Sequence, residues 1–142
     1  MRKLYCYSYK EFKGLPAIPE RTAIISIIGT QAARGRHLYS GPNVLNLDFD
    51  DVIEPTPGLI SFSSGQAQAA CQFIKAAIQE GYNIYIHCEA GLSRSQAFVR
   101  FIEKNWGDID WETRASNPCI YYNIDVLNKL DRELRKDYYG DN

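Results

Sequence analysis

The chain has 142 residues, 45% of them apolar and 23% charged, which suits one domain with its own hydrophobic core and argues against general disorder. Sixteen basic side chains face seventeen acidic ones, and a net charge of -1 offers no electrostatic basis for dedicated nucleic-acid binding. No apolar run reaches the ~18 residues of a membrane-spanning helix, and the opening MRKLYCYSYKEF lacks the apolar centre of a secretory signal, so no membrane association is expected.

Residues 4–10 alternate roughly in polarity. Tyr5, Tyr7 and Tyr9 would share one face of a strand, with Leu4, Cys6 and Ser8 on the other, and the segment reads as an edge strand. Pro16 and Pro19 break the next stretch. Residues 23–28 form a short apolar run rich in isoleucine, which reads as a buried strand ended by Gly29. Residues 30–42 are polar and read as a loop. Residues 44–49 alternate as a further strand running into Asp50 and Asp51, and Pro55, Pro57 and Gly58 mark another loop.

Ser63 and Gln66 have the spacing of a capping box. Ala67, Ala70, Cys71, Ile74, Ala77 and Ile78 then form one apolar stripe of a helix that stops near Gly81. Residues 83–87 read as the next strand. A helix resumes near Ser93, with Ala97, Phe98, Phe101 and Ile102 inward, and ends at Gly107. Residues 110–115 suggest a short helix. Asn117 and Pro118 suit the start of a last helix whose buried side is Ile120, Ile124, Leu127, Leu130 and Leu134. Four strands separated by helices predict an α/β fold over residues 1–142: a single domain with a small, mostly parallel central sheet flanked by helices. Cys6, Cys71, Cys88 and Cys119 form no CxxC pair and read as reduced thiols of a cytoplasmic protein. Cys71, on its helix stripe, reads as structural, as do Cys6 and Cys119. Trp106 and Trp111 read as packing residues.

The chemistry concentrates in HCEAGLSRS, residues 87–95. Cys88 and Arg94 are separated by five residues, between a predicted strand and a predicted helix. Such a loop, formed by Glu89, Ala90, Gly91, Leu92 and Ser93, turns successive backbone N–H groups inward as a nest for a phosphate-sized anion. Gly91 allows the turn and brings backbone close to the ligand. Arg94 offers a planar fork for two phosphoryl oxygens. The N–H groups and the helix N-terminus favour the anionic form of Cys88, so much of this thiol is expected as thiolate at neutral pH. Ser95 can offer its hydroxyl to that thiolate and stabilise it as a leaving group. His87 is expected to point away from the phosphate and to orient the loop.

This string resembles the signature loop of the cysteine-dependent protein tyrosine phosphatase superfamily, and within it the compact dual-specificity branch. From residue 44 to residue 134 the order of elements is also similar to that family. The resemblance implies a dual-specificity phosphatase-like fold, a phosphocysteine intermediate on Cys88, phosphate binding by Arg94, and a general acid on a loop that follows a strand upstream of the nucleophile. Asp51 is favoured for that role and Asp50 is the alternative; Asp48 fits less well. The implied reaction needs no metal and no cofactor. Its expected partner is a phosphorylated protein or peptide, with a small phosphomonoester as an alternative. Arg34, Arg36 and His37 follow a predicted strand, where substrate contacts are found in α/β enzymes, although a solvated loop is the simpler reading. Two other classes stay open: a non-catalytic phospho-residue binding module and a thiol enzyme of the sulfurtransferase type. Oligomeric state has no signature in the sequence.

Overall fold

The computed structural model describes residues 1–30, 36–115 and 121–140. Among the described residues five strands and four helices follow in the order β1 (Arg2–Ser8), α1 (Tyr9–Lys13), β2 (Thr22–Ile28), β3 (Val44–Asp48), α2 (Ser64–Gln79), β4 (Asn83–Cys88), α3 (Arg94–Trp106), β5 (Trp111–Ala115) and α4 (Ile124–Tyr139). The sheet has the order β3-β2-β4-β1-β5, and every neighbouring pair is parallel. Among the described residues no helix is long and apolar enough to cross a membrane.

All seven residues of β2 are buried, as expected of a parallel strand covered on both faces. The two faces carry different side chains because strand residues alternate in direction. Leu4, Cys6, Ile25, Ile27, Ile84, Ile86 and Cys88 belong to the main core, together with the inward stripes of α2, α3 and α4. On the opposite face, Tyr7, Ile24 and Tyr85 form a second cluster with Phe12 of α1. Cys88 and His87 are therefore sent to opposite faces of the sheet.

The strand over residues 23–28, the strand beginning at Val44, the Ser63–Gln66 capping box and the strand beginning at Asn83 are all present as expected. Gly81 has φ +77°, the left-handed conformation that lets the chain leave α2. The expectation for the first strand is half right. Tyr5 and Tyr7 share a face, but Ser8 caps α1 through a capping box with Glu11, so Tyr9 and Lys10 are helical. Nor is β1 an edge: it lies between β4 and β5, with Leu4 opposite both Ile84 and Thr113.

Two further expectations are corrected. Residues 110–115 are not a short helix; Trp111–Ala115 is a fifth strand, extended because its backbone pairs with β1. Trp111 packs there as expected, its indole N–H donating to Trp106 O at 3.0 Å with Arg2 over its ring. The last helix starts at Ile124, capped by Asn123, whose side-chain oxygen accepts from Val126 N–H at 3.0 Å. Leu127, Leu130 and Leu134 are buried as expected, but Ile124 is 44% exposed and Val126 takes the inward place. Asn117, Pro118, Cys119 and Ile120 lie outside the described residues, as does Arg34.

Candidate active site

β4 ends at Cys88 and α3 begins at Arg94, so residues 89–93 form a short turn at the carboxyl edge of a central strand. Gly91 lies in it with φ +71°. A Cβ there would sit 2.8 Å from Ser8 N and 2.9 Å from Tyr7 C. The glycine allows the turn, as expected from the sequence, and is also required by the close approach of the loop to the end of β1, which the sequence reading did not foresee. A backbone bond from Tyr9 N–H to Glu89 O, 3.1 Å, fastens the same junction.

The Cys88 thiol is buried and sits inside this turn. Gly91 N–H donates to its Sγ at 3.2 Å, and Ser95 Oγ lies 3.0 Å away. Ser95 also accepts from the Cys6 thiol at 3.1 Å. Gln96, in the first turn of α3, donates to Gly91 O at 3.1 Å and braces the loop from behind. The Arg94 guanidinium is buried. Its Nη1 donates to Phe49 O at 2.8 Å, while its Nε has no partner. An unpaired buried donor of this kind is costly.

The two acids at the end of β3 are in different situations. Asp50 is buried and fully engaged: Thr30 N–H, Thr30 Oγ1 and Ile60 N–H donate to its carboxylate at 2.9, 2.5 and 2.8 Å. Burial pushes its pKa up, but the Ile60 and Thr30 hydrogen bonds and the Arg94 charge outweigh burial and hold it below the ordinary carboxylate value. Asp51 is exposed on the rim of the turn. Its Oδ1 accepts from Ser93 Oγ at 2.9 Å and from Asn123 Nδ2 at 2.8 Å. Asn123 N–H also donates to Ser93 O at 3.2 Å, and its side chain to Val52 O at 3.1 Å. One residue therefore joins α4, the acid loop and the turn.

His87 is fully buried, stacked on Phe12 with ring centroids 4.5 Å apart. Burial foremost, then the neighbouring His37 ring, pushes its pKa down to about 4, against a weaker opposing effect of the Cys88 backbone. Its Nε2 lies 2.7 Å from Ser26 Oγ. His37, in the loop before β3, turns inward to this serine and to Asp48 of β3. Arg36 is exposed. Cys71 lies on the buried stripe of α2 and donates to Leu130 O at 3.4 Å, in keeping with a structural role.

A cavity of about 590 Å³ opens beside the turn, lined by Asp51, Val52, Ile53, Glu54, Leu92 and Tyr121 among others. A second cavity, of about 600 Å³, lies between β3 and α2 and includes no residue of the turn.

The structure brings residues 87–95 and both acids, which the sequence had singled out, to one edge of the sheet. Sequence reasoning missed Asn123, whose place three residues before Val126 at the start of an apolar stripe was the available signal. It also missed Cys6, Ser26 and the inward turn of His37, which only the sheet register brings near the signature loop.

No family model and no solved structure matches the chain. Over 91 residues it is 28% identical to laforin of Mus musculus, an alignment covering 59% of this chain and 27% of that protein. The chain thus spans about a quarter of that relative's length. The α/β arrangement of a parallel sheet with flanking helices is consistent with the dual-specificity phosphatase-like fold expected from the sequence.

Proposed function

We propose that the chain is a cysteine-dependent phosphomonoester hydrolase of the protein tyrosine or dual-specificity type. The observation that carries this reading is the Cys88 thiol inside the strand-to-helix turn, with Gly91 N–H and Ser95 Oγ on its sulfur and the unpaired Nε of Arg94 in the same turn. The distant likeness to laforin supports a phosphatase-like activity.

In this mechanism the Cys88 thiolate attacks phosphorus in line with the leaving alcohol or phenol. The turn's N–H groups and the Nε–Nη2 edge of Arg94 hold the equatorial oxygens, Nη1 being tied to Phe49 O. Asp51 gives its proton to the departing oxygen. Because Oδ1 already accepts two hydrogen bonds, Oδ2 is the oxygen that carries the proton. Water then attacks phosphocysteine, Asp51 takes a proton from that water, and Ser95 donates to the sulfur as the thiolate leaves. Asp50, held as a hydrogen-bonded anion below the ordinary carboxylate range, is unsuited to proton donation. It acts by fixing the strand end beside Arg94. The substrate class is a phosphorylated protein or peptide, whose neighbouring residues would enter the cavity lined by Ile53, Glu54 and Tyr121.

The test is hydrolysis of a small aryl phosphate with chelator and reductant present. Wild type is compared with Cys88→Ser, Asp51→Asn and Asp50→Asn. Turnover abolished in Cys88→Ser, with the acid-dependent step lost in Asp51→Asn, is the expected result. A folded, reduced wild type that binds phosphate without turnover would instead favour a phospho-residue binding module. Sulfur transfer from thiosulfate in place of hydrolysis would favour a sulfurtransferase.

A further inference from the structure

Behind the signature loop, on the sheet face away from Cys88, four side chains form one hydrogen-bonded file. Asp48 Oδ1 lies 2.6 Å from His37 Nε2, His37 Nδ1 lies 2.7 Å from Ser26 Oγ, and Ser26 Oγ lies 2.7 Å from His87 Nε2. The outer end is in solvent, with the Asp48 side chain 65% exposed and that of His37 21% exposed. The inner end, His87, is completely buried next to Cys88 in the chain.

Hydrogen counting constrains this file. A carboxylate only accepts, so His37 Nε2 carries a hydrogen. Ser26 has one hydrogen to share between two ring nitrogens. When His37 is neutral, its Nδ1 is bare and takes the Ser26 hydrogen, so Ser26 Oγ must accept from His87 Nε2–H. When His37 is protonated, Nδ1–H donates to Ser26 Oγ and sets the Ser26 hydrogen free; turned to His87 Nε2, that hydrogen is accepted there once His87 has given its Nε2 proton to solvent and taken one from solvent at Nδ1. His87 stays neutral in both arrangements. Its Nδ1 is buried without a hydrogen-bond partner, and an orphaned buried N–H is more costly than a bare acceptor, which favours Nε2–H whenever His37 is neutral.

We propose that Ser26, His37 and Asp48 are positioning residues that dictate which nitrogen of His87 holds the proton, so that a proton gained by His37 at the surface becomes a tautomer change beside Cys88. The titratable groups facing the file are Asp48 at its outer end and, around His87, the Tyr9 ring from α1 and the charge of Arg94. In one state Nδ1 carries a lone pair and in the other an N–H, one residue before Cys88. The file stands on geometry alone; its effect on catalysis rests on Cys88 being the nucleophile.

The test uses the full chain with 15N-labelled histidine, followed by long-range proton–nitrogen correlation from about pH 8 to about pH 5. In wild type His87 is expected as the Nε2–H tautomer at the alkaline end. Its nitrogen shifts should then exchange towards Nδ1–H with the same midpoint as the titration of His37. In Ser26→Ala the His87 shifts should no longer follow His37. In the surface variant His37→Gln, whose amide can keep both hydrogen bonds without titrating, His87 should hold one tautomer throughout. The rate of iodoacetamide alkylation of Cys88 should show an inflection at the His37 midpoint that His37→Gln removes. Constant His87 shifts while His37 titrates, or a response that survives Ser26→Ala, would overturn the proposal. Neither readout needs turnover, so loss of the phosphatase reading would leave the file standing, and unresponsive His87 in an active enzyme would remove the file alone.

Discussion

The Cys6 thiol decides where the Ser95 hydrogen goes. Burial foremost pushes the Cys6 pKa up to about 12, so at neutral pH it is an S–H donor rather than a thiolate. It donates to Ser95 Oγ at 3.1 Å, with Gly91 O a more distant acceptor at 3.8 Å. Having accepted from one sulfur, the Ser95 hydroxyl has its own hydrogen for the other, Cys88 Sγ at 3.0 Å. Ser95→Ala removes a hydrogen bond to the Cys88 sulfur and is expected to slow alkylation of Cys88, and breakdown of the proposed intermediate, by roughly 10- to 100-fold. Cys6→Ala leaves the hydroxyl in place but unaimed, and a loss of only about 2- to 10-fold is expected. Equal losses in the two variants, measured by iodoacetamide kinetics at one pH, would contradict this division of roles.

Asn123 is expected to separate stability from catalysis. Its oxygen caps α4 and its amide hydrogens hold Asp51. Asn123→Ala loses both and should cost about 1 kcal/mol of stability as well as activity. Asn123→Asp keeps a good capping oxygen but sets a second carboxylate against Asp51. Urea unfolding should then stay close to wild type while kcat for a poor leaving group falls by about 10-fold or more.

Acid should weaken the fold in two separate windows. His87 has a folded pKa pushed down to about 4 from an ordinary 6.5, so the unfolded chain binds the extra proton first as pH falls. The stabilisation from keeping His87 neutral is complete above 6.5 and is lost progressively as pH falls towards about 4, amounting to about 3 kcal/mol. The depressed Asp50 acts lower: its contribution is present above the ordinary value of 3.8 and disappears as pH falls through its folded value. Urea midpoints measured against pH should show the first slope in wild type and lose it in His87→Asn.

Gly91→Ala tests why the turn needs glycine. The new Cβ would meet backbone atoms of Tyr7 and Ser8 at 2.8 to 3.0 Å and would also hold φ +71°, a strain of about 1–3 kcal/mol. The loop should lift from β1, lowering Tm by several degrees and abolishing turnover. If the glycine served ligand approach alone, Tm would stay unchanged while phosphate affinity fell.

What was legible in the sequence was local. The Ser63–Gln66 box and the turn from Cys88 to Arg94 are written in neighbouring residues, and the structure displays them where they were expected. The segment from Trp111 to Ala115 was misread as helix because its extended form comes from pairing with Arg2–Cys6, far away in sequence. The preference for Asp51 over Asp50 rested on the family resemblance, not on neighbouring residues; Thr30 and Ile60 engage Asp50 in hydrogen bonds, while Ser93 and Asn123 meet Asp51 at the rim. His37 read as loop because nothing nearby announces that Ser26 and His87 lie opposite one another in β2 and β4.

The central position of β1 bears on how the chain is made. Its two sheet partners are β4 and β5, so β1 waits while β2, β3 and β4 are synthesised before it can be inserted. Closure of the sheet is a long-range event, the kind that folds slowly. Until it happens, Gly91 has no wall to rest on and Cys6 cannot reach Ser95. A nascent chain that already displays HCEAGLSRS should therefore be inert, and ribosome-stalled intermediates should acquire a reactive Cys88 only when Arg2–Ser8 has slotted into place.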